Sequence, residues 1–111
     1  MKMECQQIGT VEVLIPQGPL ADNEAEHFSA TLQERLAEAN PRMAVSLQNV
    51  PYMDSVALNG LVAAADDMID RGMRLKLVSV NPTCREILEL TGLTPRFQFF
   101  QKAQDAVKSF L

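Results

Sequence analysis

Between Val11 and Leu111 the apolar residues change period repeatedly, from the alternation of a strand to the i, i+3, i+4 spacing of a helix and back. A chain that alternates in this way has one economical solution, a single sheet with helices packed on it. "TVEVLIP" alternates Val11, Val13 and Ile15 against Glu12 and Leu14, and reads as a strand interrupted at Pro16. Leu20 reads as a short return strand. Ala25, Phe28, Leu32, Leu36 and Ala39 then recur at helical spacing, with Pro41 as the stop signal. "MAVSLQNV" is the second main strand and ends at Pro51.

From Asp54 the period lengthens again. Leu58, Leu61, Val62, Ala65, Met68 and Ile69 form a helical stripe that should face the core, and Gly72 follows the last turn. "MRLKLVSV" is a third strand. Asn81 before Pro82 is a strong helix start, a cap residue followed by proline in the first turn. Cys84, Ile87, Leu88 and Thr91 make that helix's inner face, and Gly92 ends it. "RFQFF" reads as a last strand and "KAQDAVKSFL" as a last amphipathic helix. The expected fold is therefore α/β, one domain over 1–111, with a mixed sheet of four to five strands and about four helices. No linker, internal repeat or low-complexity segment divides it.

Composition narrows the function. Of the residues, 47% are hydrophobic and 22% charged, as in ordinary globular domains, and a chain this long buries about 65% of its unfolded surface. The net charge of -4 argues against nucleic acid, because neutralising phosphates needs a basic face. The opening "MKMECQQIGT" lacks the apolar stretch of a signal peptide, and no apolar run approaches the roughly 18 residues of a membrane span, so a cytoplasmic setting without membrane insertion is expected. There Cys5 and Cys84 would be thiols. One His and two Cys leave no basis for a Cys/His zinc site, and no cofactor is called for.

Few groups are placed for chemistry. The five glycines stand singly, so no glycine-rich phosphate loop exists. His27 reads as a surface residue of the first helix. Cys84 lies in the first turn of its helix, where the dipole would favour a thiolate, but also on the apolar stripe, and a core role is the better reading. Asp66, Asp67 and Asp70 point outward, with Asp67 and Arg71 at i, i+4; they form either a solvated face or an acidic edge for a basic partner. That leaves "YMDSVALNGL", where Asp54 and Ser55 open the second helix. Both are favoured helix caps, and Ser55 is also a hydroxyl placed where a phosphate would be tolerated.

"YMDSVALNGL", the later "LKLVSVNPTCREILELTGL" and the closing "FQFFQKAQDAVKSF" together resemble the STAS domain family, the anti-sigma factor antagonists and related modules. The resemblance spans nearly the whole chain. It implies that Asp54 and Ser55 match the acid and the phosphorylatable serine of the family loop. By the same resemblance the chain would be a non-enzymatic switch. An anti-sigma factor with serine kinase activity would modify Ser55, a phosphatase would restore it, and the unmodified form would bind the anti-sigma factor. The alternative is a STAS subunit docking on the ATPase of an ABC-type lipid transporter without phosphorylation. Val56 and Ala57 replace the small polar residue and Gly usual in the family, and the acid of its Gly-x-Leu-Asp is displaced to Asp22. The expected partner surface comprises Asp22, Asp54, Ser55, Asn59 and Asp66, on a monomer or weak dimer.

Overall fold

In the computed structural model, which describes residues 2–111, the strands lie in the sheet in their order along the chain. β1 (Lys2–Ile8) pairs antiparallel with β2 (Val11–Gln17), and β3 (Met43–Ser46), β4 (Leu75–Val78) and β5 (Phe97–Phe100) follow in parallel. Three helices make the crossovers, α1 (Asp22–Leu36), α2 (Ser55–Asp70) and α3 (Pro82–Leu90). Because each step moves the same way across the sheet, right-handed crossovers put all three on one face. The main core lies between them and the sheet, with Phe28, Leu32, Leu61, Met68, Cys84 and Leu88 packed towards Leu14, Val45 and Leu77. A short α4 (Ala103–Lys108) covers part of the other face, where Ala106 meets Ala44 and Val78.

The expected α/β fold, a mixed sheet of four to five strands with about four helices, is observed with five strands and four helices among the described residues. Several details differ. β1 was not legible as a strand, since Glu4, Cys5, Gln6 and Gln7 are all exposed; its backbone pairing with β2 carries it, across a tight turn in which Gly9 has φ 62°. Pro16 does not interrupt β2. It lies past Leu14, the last residue of β2 paired with β3, where its missing N–H costs no bond on that side. Leu20 makes a single bridge to Met53 rather than a strand. α1 stops at Leu36, and Ala39 is exposed, because Ala37–Asn40 offer no large apolar side chain to bury.

The α2 stripe is rotated from its expected phase. Ala57, Gly60, Leu61, Ala64, Ala65 and Met68 are buried, Leu58 and Val62 are half-buried, and Ile69 is 41% exposed. The reason is the neighbouring helix: α1 packs so closely that small residues of α2 must face it. A Cβ on Gly60 would lie 2.8 Å from Ser29 Cβ and 3.3 Å from its Cα. On α3, Thr91 is exposed and its hydroxyl donates to Ile87 O at 2.7 Å, so it closes the helix rather than joining the core. The last helix is only six residues long.

Gly60→Ala should therefore destabilise the fold by roughly 1–2 kcal/mol despite alanine's better helix propensity, because overpacking outweighs that gain. Urea unfolding checks this. A stability equal to or above wild type would mean that α1 and α2 separate freely.

Candidate functional site

Strand ends of a parallel sheet gather the loops that precede the helices, and here they bring Leu20–Asp22 against Tyr52–Asp54. Leu20 N–H donates to Tyr52 O at 3.0 Å, Asp54 N–H to Leu20 O at 2.9 Å, and Gly18 N–H to Asn49 O at 2.9 Å. The starts of α1 and α2 consequently lie side by side. Asp54 is the N-cap of α2, and its Oδ1 accepts from Ala57 N–H at 3.0 Å. Its Oδ2 accepts from the backbone N–H of Asp22 at 2.9 Å. One carboxylate thus ties the first turns of two helices.

Asp22 contributes through its backbone. It has φ 55°, a left-handed conformation that Asp tolerates better than most residues, and its peptide N–H is directed to Asp54. The Asp22 side chain is exposed. The helix it begins has Ala21 as a cap without a side-chain bond, so the Asp22 carboxylate does not cap it. The N–H groups of Ala57 and Asp22 hold the Asp54 carboxyl below its usual pKa, with a smaller contribution from Val56 and a partial offset from desolvation.

Ser55 is the first residue of α2 and is exposed, and its hydroxyl has no hydrogen bond to any described residue. Asp54 caps the helix, so Ser55 Oγ is spare. Its neighbours Tyr52 and Val56 are 49% and 41% exposed, which gives the serine an apolar rim. Nothing in the sequence marked that rim, because the exposure of Tyr52 and Val56 is set by the packing around them. Asn59 is exposed one turn further on. Asp66 falls on the same helical face, eleven residues from Ser55 and roughly 16 Å along the axis, by helical rise. There it pairs with Arg96. Ser55, Asn59 and Asp66 therefore share a stripe, while Asp54 precedes Ser55 in the chain and Asp22 reaches the site through its bond to Asp54.

A second cap supports this loop from behind. Asn81 Oδ1 accepts from Cys84 N–H at 3.0 Å, and its Nδ2 donates to Leu47 O at 2.9 Å and to Val50 O. Cys84 is fully buried and its thiol donates to Val50 O at 3.3 Å, while burial raises its pKa. Its place is in the core. Among the described residues no group of three or more His, Cys, Asp and Glu is placed to hold a metal, and no helix is long and apolar enough to cross a membrane.

Fold and site define a layered α/β domain that presents a spare serine at a carboxylate-capped helix start. The family model described as STAS domain matches residues 2–106, and the chain belongs to that family. Among solved structures, an anti-sigma factor antagonist from Mycobacterium paratuberculosis superposes with a TM-score of 0.83 at 21% identity, covering 97% of this chain and 92% of that one. The Bacillus cell fate determinant SpoIIAA in its phosphorylated form gives 0.76 at 15% identity, covering 99% and 100%. A sulfate transporter family protein from Wolinella succinogenes gives 0.71 at 18% identity, covering 89% and 83%. No curated protein sequence matches the chain.

The Asp54 bonds set a pH dependence. A carboxyl with a lowered folded pKa stabilises the fold above its unfolded value, and the contribution is lost as pH falls through the folded value. Asp54→Asn should therefore show a smaller loss of stability than wild type as pH drops below the ordinary carboxylate range, measured by thermal unfolding across acid pH. Parallel curves for the two proteins would show that the Asp54 charge is not what the N–H groups hold.

Proposed function

We propose that the protein is an anti-sigma factor antagonist whose binding is controlled by phosphorylation of Ser55. The observation that carries this reading is the spare Ser55 hydroxyl at the start of α2, rimmed by Tyr52 and Val56. An anti-sigma factor with serine kinase activity is the partner. It binds the unmodified loop, with Tyr52 as the aromatic anchor such interfaces favour, Asp22 and Asp54 at the rim, and Asn59 and Asp66 further along the helix. Kinase action adds roughly -1.5 to -2 charge at Ser55, and a phosphatase removes it.

The physical chemistry lets fold and switch coexist. Beyond its Asp54 cap, α2 has no acidic residue in its first turn, so a solvated phosphate there still meets the positive end of the helix and the fold tolerates it. In a complex the same phosphate would have to be desolvated beside the carboxylates of Asp22 and Asp54. Weakening binding about 100-fold needs only about 2.7 kcal/mol, within reach of such repulsion and desolvation. The domain does this by binding, in a cytoplasmic setting, and needs no catalysis of its own.

The expected outcomes separate switching from folding. Ser55→Asp should change stability by no more than about 0.5 kcal/mol yet weaken partner binding by more than about 1 kcal/mol. Ser55→Ala should bind like wild type and resist the kinase. Titration against the anti-sigma factor, thermal unfolding, and mass spectrometry after incubation with kinase and ATP read all three. Wild-type binding by folded Ser55→Asp, or phosphate placed only elsewhere, would overturn the reading. Docking on a transporter ATPase with Ser55 unmodified would replace it.

A further inference from the structure

At the end of α2 remote from Ser55, a cleft of about 570 Å³ opens beside the turn at Gly72. Ile69, Met73 and Phe110 give it apolar walls, and Arg74, Lys76 and Gln98 also line it. No carboxylate is among its lining residues, although the chain carries 14 acidic against 10 basic residues. A cationic, apolar-walled cleft on an acidic protein is a local reversal of charge.

Lys76 makes this more than a surface hollow. It is a residue of β4 with only 9% exposure. Its Nζ donates to Gln98 Oε1 at 2.8 Å and lies 4.6 Å from the centre of the Phe110 ring and 5.7 Å from that of Phe100. Among the described residues no carboxylate comes within ion-pair distance of it, and the ion pairs that are described all use arginine. The ammonium thus has a neutral acceptor and two ring faces but no counter-charge. Burial accordingly pulls its pKa below the usual lysine value.

A buried cation without a counter-charge has its desolvation only partly compensated, and an anion arriving in the cleft would supply what is missing. Arg74 adds a second cation. One of its guanidinium nitrogens donates to Pro95 O, and a guanidinium has five N–H donors in all. The apolar walls call for more than an inorganic ion, because only an apolar body removes them from water. We propose that this cleft binds a small organic carboxylate, its charged end between Lys76 and Arg74 and its apolar body against Ile69, Met73 and Phe110. The site is independent of Ser55 and its partner.

Octanoate is the probe, with octanamide as its uncharged counterpart and acetate as its truncated one, each titrated into the isotope-labelled full chain. Amide shifts of Met73–Leu77 and of the Gln98 side chain report on the cleft. Octanoate should give saturable shifts confined there, and octanamide and acetate should each bind at least roughly tenfold more weakly. Lys76→Met, which keeps the length and removes the charge, should weaken octanoate by a similar factor with the spectrum otherwise preserved. Should that variant fail to fold, Arg74→Gln at the exposed edge should still weaken octanoate several-fold. Absence of saturation, shifts centred elsewhere, equal binding of octanoate and octanamide, or equal binding of octanoate and acetate would each overturn the proposal.

Discussion

The Asp54 carboxylate holds together the part of the molecule that matters most. One oxygen accepts from Ala57 N–H within α2, and the other accepts from Asp22 N–H at the start of α1. Few side chains of this size satisfy orphan N–H groups on two helices at once. With the bridge in place the Leu20–Met53 pairing is locked, and the first residue of α2 is relieved of capping. That division of labour leaves Ser55 free. A chain in which the serine itself capped the helix would have its hydroxyl engaged in the fold.

The rest of the architecture keeps this bridge in register. Three successive crossovers on one face bring the N-termini of α1, α2 and α3 to the carboxyl ends of the parallel strands, where such folds place their ligand-facing loops. Asn81 repeats at α3 what Asp54 does at α2, capping a helix and reaching back to carbonyls of Leu47 and Val50. Gly60 sets the approach of α1 to α2 from within. The site therefore stands on two caps and one close helix contact.

What was legible in the sequence follows from range. Local signals read well: the Asp54-Ser55 start of α2, the Asn81-Pro82 start of α3 and the existence of β3 and β4 depend on neighbours in the chain, although the stretches read as strands, 43–50 and 73–80, overrun the observed Met43–Ser46 and Leu75–Val78. Non-local ones did not. The rotation of the α2 stripe is dictated by Ser29 on another helix, and β1 exists because β2 offers it a backbone edge. The bond from Asp22 N–H to Asp54 joins residues 32 positions apart and has no side-chain signature at Asp22. The exposure of Tyr52 and Val56 had no sequence signal, because composition cannot tell a rim from an interior. The burial of Lys76, set in a strand of alternating charge and leucine, had no sequence signal for the same reason.

A sheet whose spatial order equals its chain order also says how it can be assembled. Every strand pairs with the one made just before it, so no segment must wait for a distant complement. Closing each strand–helix–strand unit costs a similar chain entropy, which grows only slowly with loop length. Folding can then proceed by accretion, each unit adding a strand to the edge left by the last, and α4 arriving at the end to cover Ala44 and Val78. The bridging bond at Asp54 needs only the first of these units and the start of the second. The Asp54 bridge can thus form before the far edge of the sheet, while the Asn81 bonds to Leu47 and Val50 wait for α3.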